Sequence, residues 1–214
     1  MVQQEGYYCI GFLLPNETED DCIRLGNELS NAFRKKDGKE SQSFFLNKLK
    51  DRLPMIKVKW NFTATDTEIE EVKKVIKDFT KTQSMVNIQI TGVQVFDEEK
   101  IALIVKDQKC EEDSSRRNID NLMSLKTALC VELARLKLNR KINNKNEPVF
   151  IPRITIGIYP KSGINSVVSI LNYVPGIKSF QKISLENLVL FKKESENHEW
   201  EAVSTYSLNG NVFV

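Results

Sequence analysis

Met-Ile-Lys-Val-Lys-Trp-Asn-Phe-Thr-Ala-Thr, residues 55–65, and Ile-Pro-Arg-Ile-Thr-Ile-Gly-Ile-Tyr, residues 151–159, carry the most informative patterns in this chain. In the first, Val58, Trp60, Phe62 and Ala64 alternate with Lys57, Lys59, Asn61, Thr63 and Thr65. A period of two marks a strand with one buried and one polar face. In the second, Arg153 and Thr155 hold the polar positions. Residues two apart on a strand point the same way, so Asn61 with Thr63 and Arg153 with Thr155 each form a pair on one side of a sheet. The pairs stand 92 positions apart, 153 minus 61.

Outward from these strands the chain divides into two similar halves. Tyr7–Leu14 reads as a buried strand broken by Pro15 and Asn16, and Cys22, Leu25, Leu29, Ala32 and Phe33 then recur at helical spacing, with Thr18 and Asp21 as a candidate capping box. Phe44, Phe45, Leu46 and Leu49 suggest a further helical piece or an ordered flap. Thr67 and Glu70 open a helix reaching Thr82, with Ile69, Val72, Val75, Ile76 and Phe79 as its buried stripe. Val86–Phe96 and Ile101–Val105 are spaced as an antiparallel hairpin. A long helix is expected from about Asn118 to Arg140, a short one over Ile164–Leu171, and a closing hairpin of Ile183–Phe191 with Trp200–Leu208. The class is α+β, and residues 1–214 are expected to form one bilobal domain.

Composition narrows the chemistry. A chain of 214 residues with 41% hydrophobic content can bury a sizeable core. Cys9, Cys22, Cys110 and Cys130 show no CxxC spacing and fall on apolar faces, where reduced, buried thiols are expected. One histidine in the sequence excludes most zinc sites, histidine triads and histidine-pair acid–base schemes, and no metal or cofactor is expected. That residue, His198, lies in Glu196-Asn197-His198-Glu199, which reads as a surface hairpin turn. The amino-terminal residues carry no basic n-region and Tyr7–Leu14 is too short to cross a bilayer, so an intracellular, cytoplasmic or nuclear setting without membrane insertion is expected. The net charge of +2 conceals asymmetry: residues 34–59 hold nine Lys or Arg against three Asp or Glu, residues 134–161 hold seven against one, and residues 1–30 hold one against six. Basic stretches leading into both polar pairs would draw an anion toward them.

Trp60-Asn61-Phe62-Thr63 and Pro152-Arg153-Ile154-Thr155-Ile156-Gly157 resemble the paired H-x-T/S motifs of the two-histidine phosphoesterase superfamily, which includes RNA 2′,5′-ligase-like cyclic phosphodiesterases. The resemblance implies two antiparallel sheets facing across a central cleft, with helices on the outside. It also implies that the two threonines hydrogen-bond a phosphate. The histidine positions, however, hold Asn61 and Arg153. Arginine stays protonated and an amide is neither a useful acid nor a useful base. Each acid–base role is worth about 10²–10⁴-fold, so no residue here is assigned a catalytic role.

Phosphate binding survives the same substitutions. Arg153 offers a fork of donors, Asn61 an amide, and Thr63 and Thr155 two hydroxyls, with Lys59 and Tyr159 nearby on the same strands. The reading that follows is a catalytically degenerate protein holding a nucleotide, an RNA end or another phosphate compound in the cleft. Two alternatives stand beside it. One is a protein-interaction scaffold whose cleft is filled by side chains such as Tyr159 or Phe62. The other is a 2′,3′-cyclic or 2′,5′ phosphodiesterase whose catalytic groups are replaced, or whose histidines were substituted naturally or by design.

Overall fold

The computed structural model describes residues 5–37, 54–96, 100–107, 121–136, 150–158, 182–195 and 200–208. Among these the chain order is β1 (Gly6–Leu13), α1 (Asn16–Asp37), β2 (Met55–Ala64), α2 (Asp66–Thr80), β3 (Val86–Phe96), β4 (Lys100–Asp107), α3 (Asn121–Ala134), β5 (Arg153–Ile158), β6 (Lys182–Leu185), β7 (Asn187–Lys193) and β8 (Glu201–Ser207). The fold is α+β, with two antiparallel four-stranded sheets ordered β2-β1-β7-β8 and β5-β4-β3-β6. Each sheet combines strands from both halves of the chain, and each places one of the two polar-pair strands, β2 or β5, at an edge.

One apolar cluster unites the structure. Tyr8, Ile10 and Phe12 of β1 and Ile56, Val58 and Phe62 of β2 share it with Ile69, Val72 and Ile76 of α2. Leu122, Leu125, Leu129 and Leu133 of α3 join from the outside, and Ile101, Leu103, Ile154 and Ile156 join from the second sheet. Stripes at three- and four-residue spacing thus meet strand faces at two-residue spacing, which is how helix and sheet bury complementary surfaces. The helices are exchanged between the lobes: α1 packs near β5, whereas α2 and α3 pack against β2 and each other.

Several boundaries differ from those the sequence suggests. Helix α1 starts at Asn16, with Glu19 N–H bonded to Pro15 C=O at 2.9 Å, so Thr18 and Asp21 lie within it and do not cap it. The capping box before α2 is Thr65 with Glu68, two residues ahead of Thr67 and Glu70: Glu68 N–H donates to Thr65 Oγ1 (3.3 Å) and Thr65 N–H to Glu68 Oε2 (2.7 Å). Helix α3 stops at Ala134, short of Arg140, where Arg135 and Leu136 bond back three residues to tighten the last turn. The strand expected over Ile183–Phe191 is two strands in different sheets. Ile183 and Leu185 of β6 face the main core, Glu186 is exposed, and the core-facing parity then shifts to Leu188 and Leu190 of β7. The break at Glu186 lets the chain leave β3 and pass to β1. The expected pieces at Phe44–Leu49 and Ile164–Leu171, and the turn holding His198, lie outside the described residues.

Candidate functional site

Strand β2 is irregular where its polar pair begins. Tyr8 pairs with Phe62 but Ile10 pairs with Lys59, so Trp60 and Asn61 together oppose Cys9; Gly11 then pairs with Lys57, which leaves Val58 as a second extra residue. Bulges of this kind are common at sheet edges and re-aim side chains. Gly11 makes the close approach possible, because a Cβ there would sit 2.7 Å from the Ile56 carbonyl oxygen. Phe62 stays in the main core, stacked on Tyr8 with ring centroids 6.0 Å apart, and therefore does not fill the cleft. Asn61 is exposed and Thr63 half-buried. Lys59, placed by simple alternation on the polar face, pairs instead with Ile10 and is only 2% exposed.

Strand β5 repeats the device. Ile101 pairs with Gly157 and Ala102 with Thr155, so Ile156 is extra and the bulge adjoins Thr155. Ile154 and Ile156 are buried in the core, while Arg153 and Thr155 are half-buried. The Arg153 guanidinium carbon lies 4.3 Å from the centre of the Phe96 ring. This contact depends on a bulge in β3. Val86, Ile88 and Ile90 face the core, but Ile90 pairs with Val105 and Gly92 with Ile104, so Thr91 is extra and the core-facing role passes to Val93 and Val95. Strict alternation would send Phe96 into the core with Ile90. The bulge turns it to the other face, where it meets Arg153. The signal in the sequence is the switch of apolar residues from even positions, 86 to 90, to odd positions, 93 and 95, across Thr91-Gly92.

The two edge strands approach each other, β2 against β5, so the pairs separated by 92 positions in sequence lie on neighbouring strands of opposite sheets. Tyr159 lies outside the described residues, and so does the side chain of Trp60. Among the described residues no group of three or more His, Cys, Asp or Glu side chains could hold a metal ion, and no helix is long and apolar enough to cross a membrane.

The face of the first sheet turned away from the helices carries a second, smaller apolar cluster of Cys9, Met55, Val189 and Phe191, with Leu13 and Trp200 against it. Above this floor a row runs across the sheet: Thr63 pairs with Tyr7, Tyr7 with Lys193, and Trp200 stands beside the Lys192–Glu201 pair. Lys193 Nζ lies 5.6 Å from the Tyr7 ring centre and 5.1 Å from that of Trp200, and Lys57 Nζ lies 4.6 Å from Trp200. Lys57 belongs to the first strand of this sheet and Trp200 adjoins the fourth, so side chains from its two edges meet across one face. Burial pushes the Cys9 thiol up to about 12, against the opposing pull of Lys57 and Lys193. Nothing in the sequence singles out Trp200, because its partners come from strands more than 140 positions earlier and from across a hairpin.

No protein-family model matches the chain, and no curated protein matches it significantly. Solved structures do. TT0787 of Thermus thermophilus superimposes with a TM-score of 0.61 at 12% identity, covering 95% of this chain and 98% of its own. LigT of E. coli in complex with 3′-AMP gives 0.55 at 10% identity, covering 96% and 99%. A structure described as a phosphoesterase gives 0.52 at 10% identity, also covering 96% and 99%. Likeness at such identities is one of fold, and over nearly its whole length this chain has the fold of the two-histidine phosphoesterases.

Proposed function

We propose that the chain is a catalytically degenerate protein of this fold that binds a nucleotide, an RNA end or another phosphate compound where β2 meets β5. The observation that carries the reading is the approach of two edge strands, each bulged next to a polar pair. In this reading Arg153 supplies paired N–H donors to two phosphate oxygens, Asn61 supplies its amide N–H, and Thr63 and Thr155 supply hydroxyls. The Phe96 ring lies under the guanidinium and limits its freedom before any ligand arrives, which lowers the entropy lost on binding. Lys59, which the β2 bulges turn to the core side beside Ile10, is not part of the set, and Tyr159 completes it in this reading. An anion held this way meets no group in the set that exchanges protons near neutral pH, so turnover is slow or absent. LigT, with the same fold, has been captured with 3′-AMP, which supports a nucleotide as the occupant.

Calorimetric titration with AMP, 2′,3′-cyclic nucleotides and short 2′,5′-oligoadenylates tests the reading directly. Saturable binding that is lost in Arg153→Gln is expected. Absence of binding to every one of these compounds overturns it and leaves a scaffold for protein partners as the alternative.

A further inference from the structure

We propose that Trp200, with Lys57 and Lys193, forms a second subsite that takes the base and phosphate of an adjoining nucleotide, so that the preferred ligand is a single-stranded oligonucleotide. The proposal rests on the phosphate-binding reading of Asn61, Thr63, Arg153 and Thr155 and extends it along the sheet.

The row Thr63, Tyr7, Lys193 crosses three paired strands, reaches Trp200 just before the fourth, and starts at a threonine of the first site. Three strand spacings separate β2 from β8, about 14 Å if the sheet were flat. One phosphate cannot touch both ends of that row, whereas two consecutive nucleotides can. The chemistry along it alternates hydroxyl, ring, cation and ring, the combination that single-strand binders use: cations for the backbone and ring faces for the bases. Two ammonium groups share one indole. Their Nζ atoms are at most 9.7 Å apart, the sum of 4.6 and 5.1 Å. A ring face that attracts a cation also stacks a base, and a lysine displaced from it remains close enough to meet the phosphate that follows. The apolar floor of Cys9, Val189 and Phe191, all fully buried, supports the indole from below and keeps water from competing there. Tyr7, Lys57, Lys193 and Trp200 are themselves half-buried, open enough to be reached.

The test compares AMP with a dinucleotide and a longer oligo(A) RNA in fluorescence or calorimetric titrations over a range of salt. For single strands the slope of log affinity against log salt changes by about 0.7 per phosphate neutralised. The RNA should show a steeper slope than AMP by roughly that amount or more. Trp200→Leu should weaken RNA roughly 5- to 150-fold, the range for loss of one stacked base, with AMP changed less than about twofold. Lys57→Gln and Lys193→Gln should each flatten the RNA slope alone, and these substitutions keep long side chains, so a misfolded Trp200 variant would not leave the question open. If AMP binds but RNA is no tighter and no steeper, or if RNA binds and none of the three changes weakens it, the second subsite is refuted while the first stands. If neither AMP nor RNA binds, both fall.

Discussion

Replacing Phe96 with leucine tests whether the ring under Arg153 organises the site. The guanidinium carbon lies 4.3 Å from the ring centre, well inside the 6 Å or so over which the attraction acts, on a ring only 8% exposed and an arginine that is half-buried. Such contacts run from about 0.5 kcal/mol when exposed to about 2 when desolvated, so a coupling near 1 kcal/mol is expected here. Phe96→Leu removes the ring face and leaves a smaller apolar side chain, which adds a repacking cost of up to about 1.5 kcal/mol. For a domain of this size each kcal/mol lowers Tm by about 2–4 °C, so a fall of about 2–10 °C is expected. The repacking cost is separated from the stack by a double-mutant cycle of Phe96→Leu, Arg153→Met and the pair, read by chemical denaturation. The stack predicts that the double variant is less destabilised than the sum of the singles by about 1 kcal/mol. Additivity to within about 0.3 kcal/mol would refute the reasoning, because it would mean that the ring and the guanidinium act independently.

Restoring histidine at both motif positions, Asn61→His with Arg153→His, is expected to produce measurable hydrolysis of 2′,3′-cyclic nucleotides, with either single change roughly 100-fold or more below the pair; if the double variant matches the unchanged protein, the motif assignment is wrong. Thr65→Ala removes one half of the capping box and should cost about 1 kcal/mol in denaturant unfolding, with little further loss when Glu68→Ala is added, since the two act together. Burial, helped at Cys22 by Asp21 and Glu19, raises both Cys9 and Cys22 to about 12 from an ordinary 9.0. The unfolded chain therefore ionises first, so the stability these thiols contribute is intact below pH 9 and is lost progressively toward pH 12; Tm measured from pH 8 to 11 should fall above 9. In the native protein at pH 8, peptide mapping after alkylation should find Cys9 and Cys22 unmodified and half-buried Cys130 labelled ahead of them.

The elements were legible in the sequence wherever one periodicity held throughout a segment. The stripe Ile69, Val72, Ile76 and Phe79 of α2 needed nothing more than spacing. What periodicity could not supply was phase. The bulges at Trp60–Asn61, Val58, Thr91 and Ile156 each insert one residue, and a single insertion exchanges the two faces of everything beyond it. Lys59 became buried and Phe96 turned to the opposite face of its sheet for that reason. Glu186 is a related case: Ile183 and Leu185 ran on into the apolar Leu188–Phe191 and hid a strand break, because β7 is buried on both faces, with Leu188 and Leu190 in the main core and Val189 and Phe191 in the smaller cluster. The paired motifs were visible as residue types, but their approach depends on the packing of two sheets, which no local pattern encodes.

The exchange of strands between the two halves also governs how this chain can be made. Cys9 of β1 and its partner Phe191 are 182 residues apart, 191 minus 9, although β2 on the other side of β1 lies fewer than 60 positions away. At 5–20 residues per second a ribosome takes about 10–35 s to bring β7 out after β1. For that interval β1 has at most one neighbour and one open edge, and Cys9, on the opposite face from Tyr8 and Ile10, waits for Val189 and Phe191 to cover it. Non-local pairing of this kind folds slowly and invites association between nascent chains. A nascent chain halted before Asn187 would lack two of the four strands of the first sheet, so holding factors that cover exposed strand edges should matter more for the yield of this protein than its size alone would suggest.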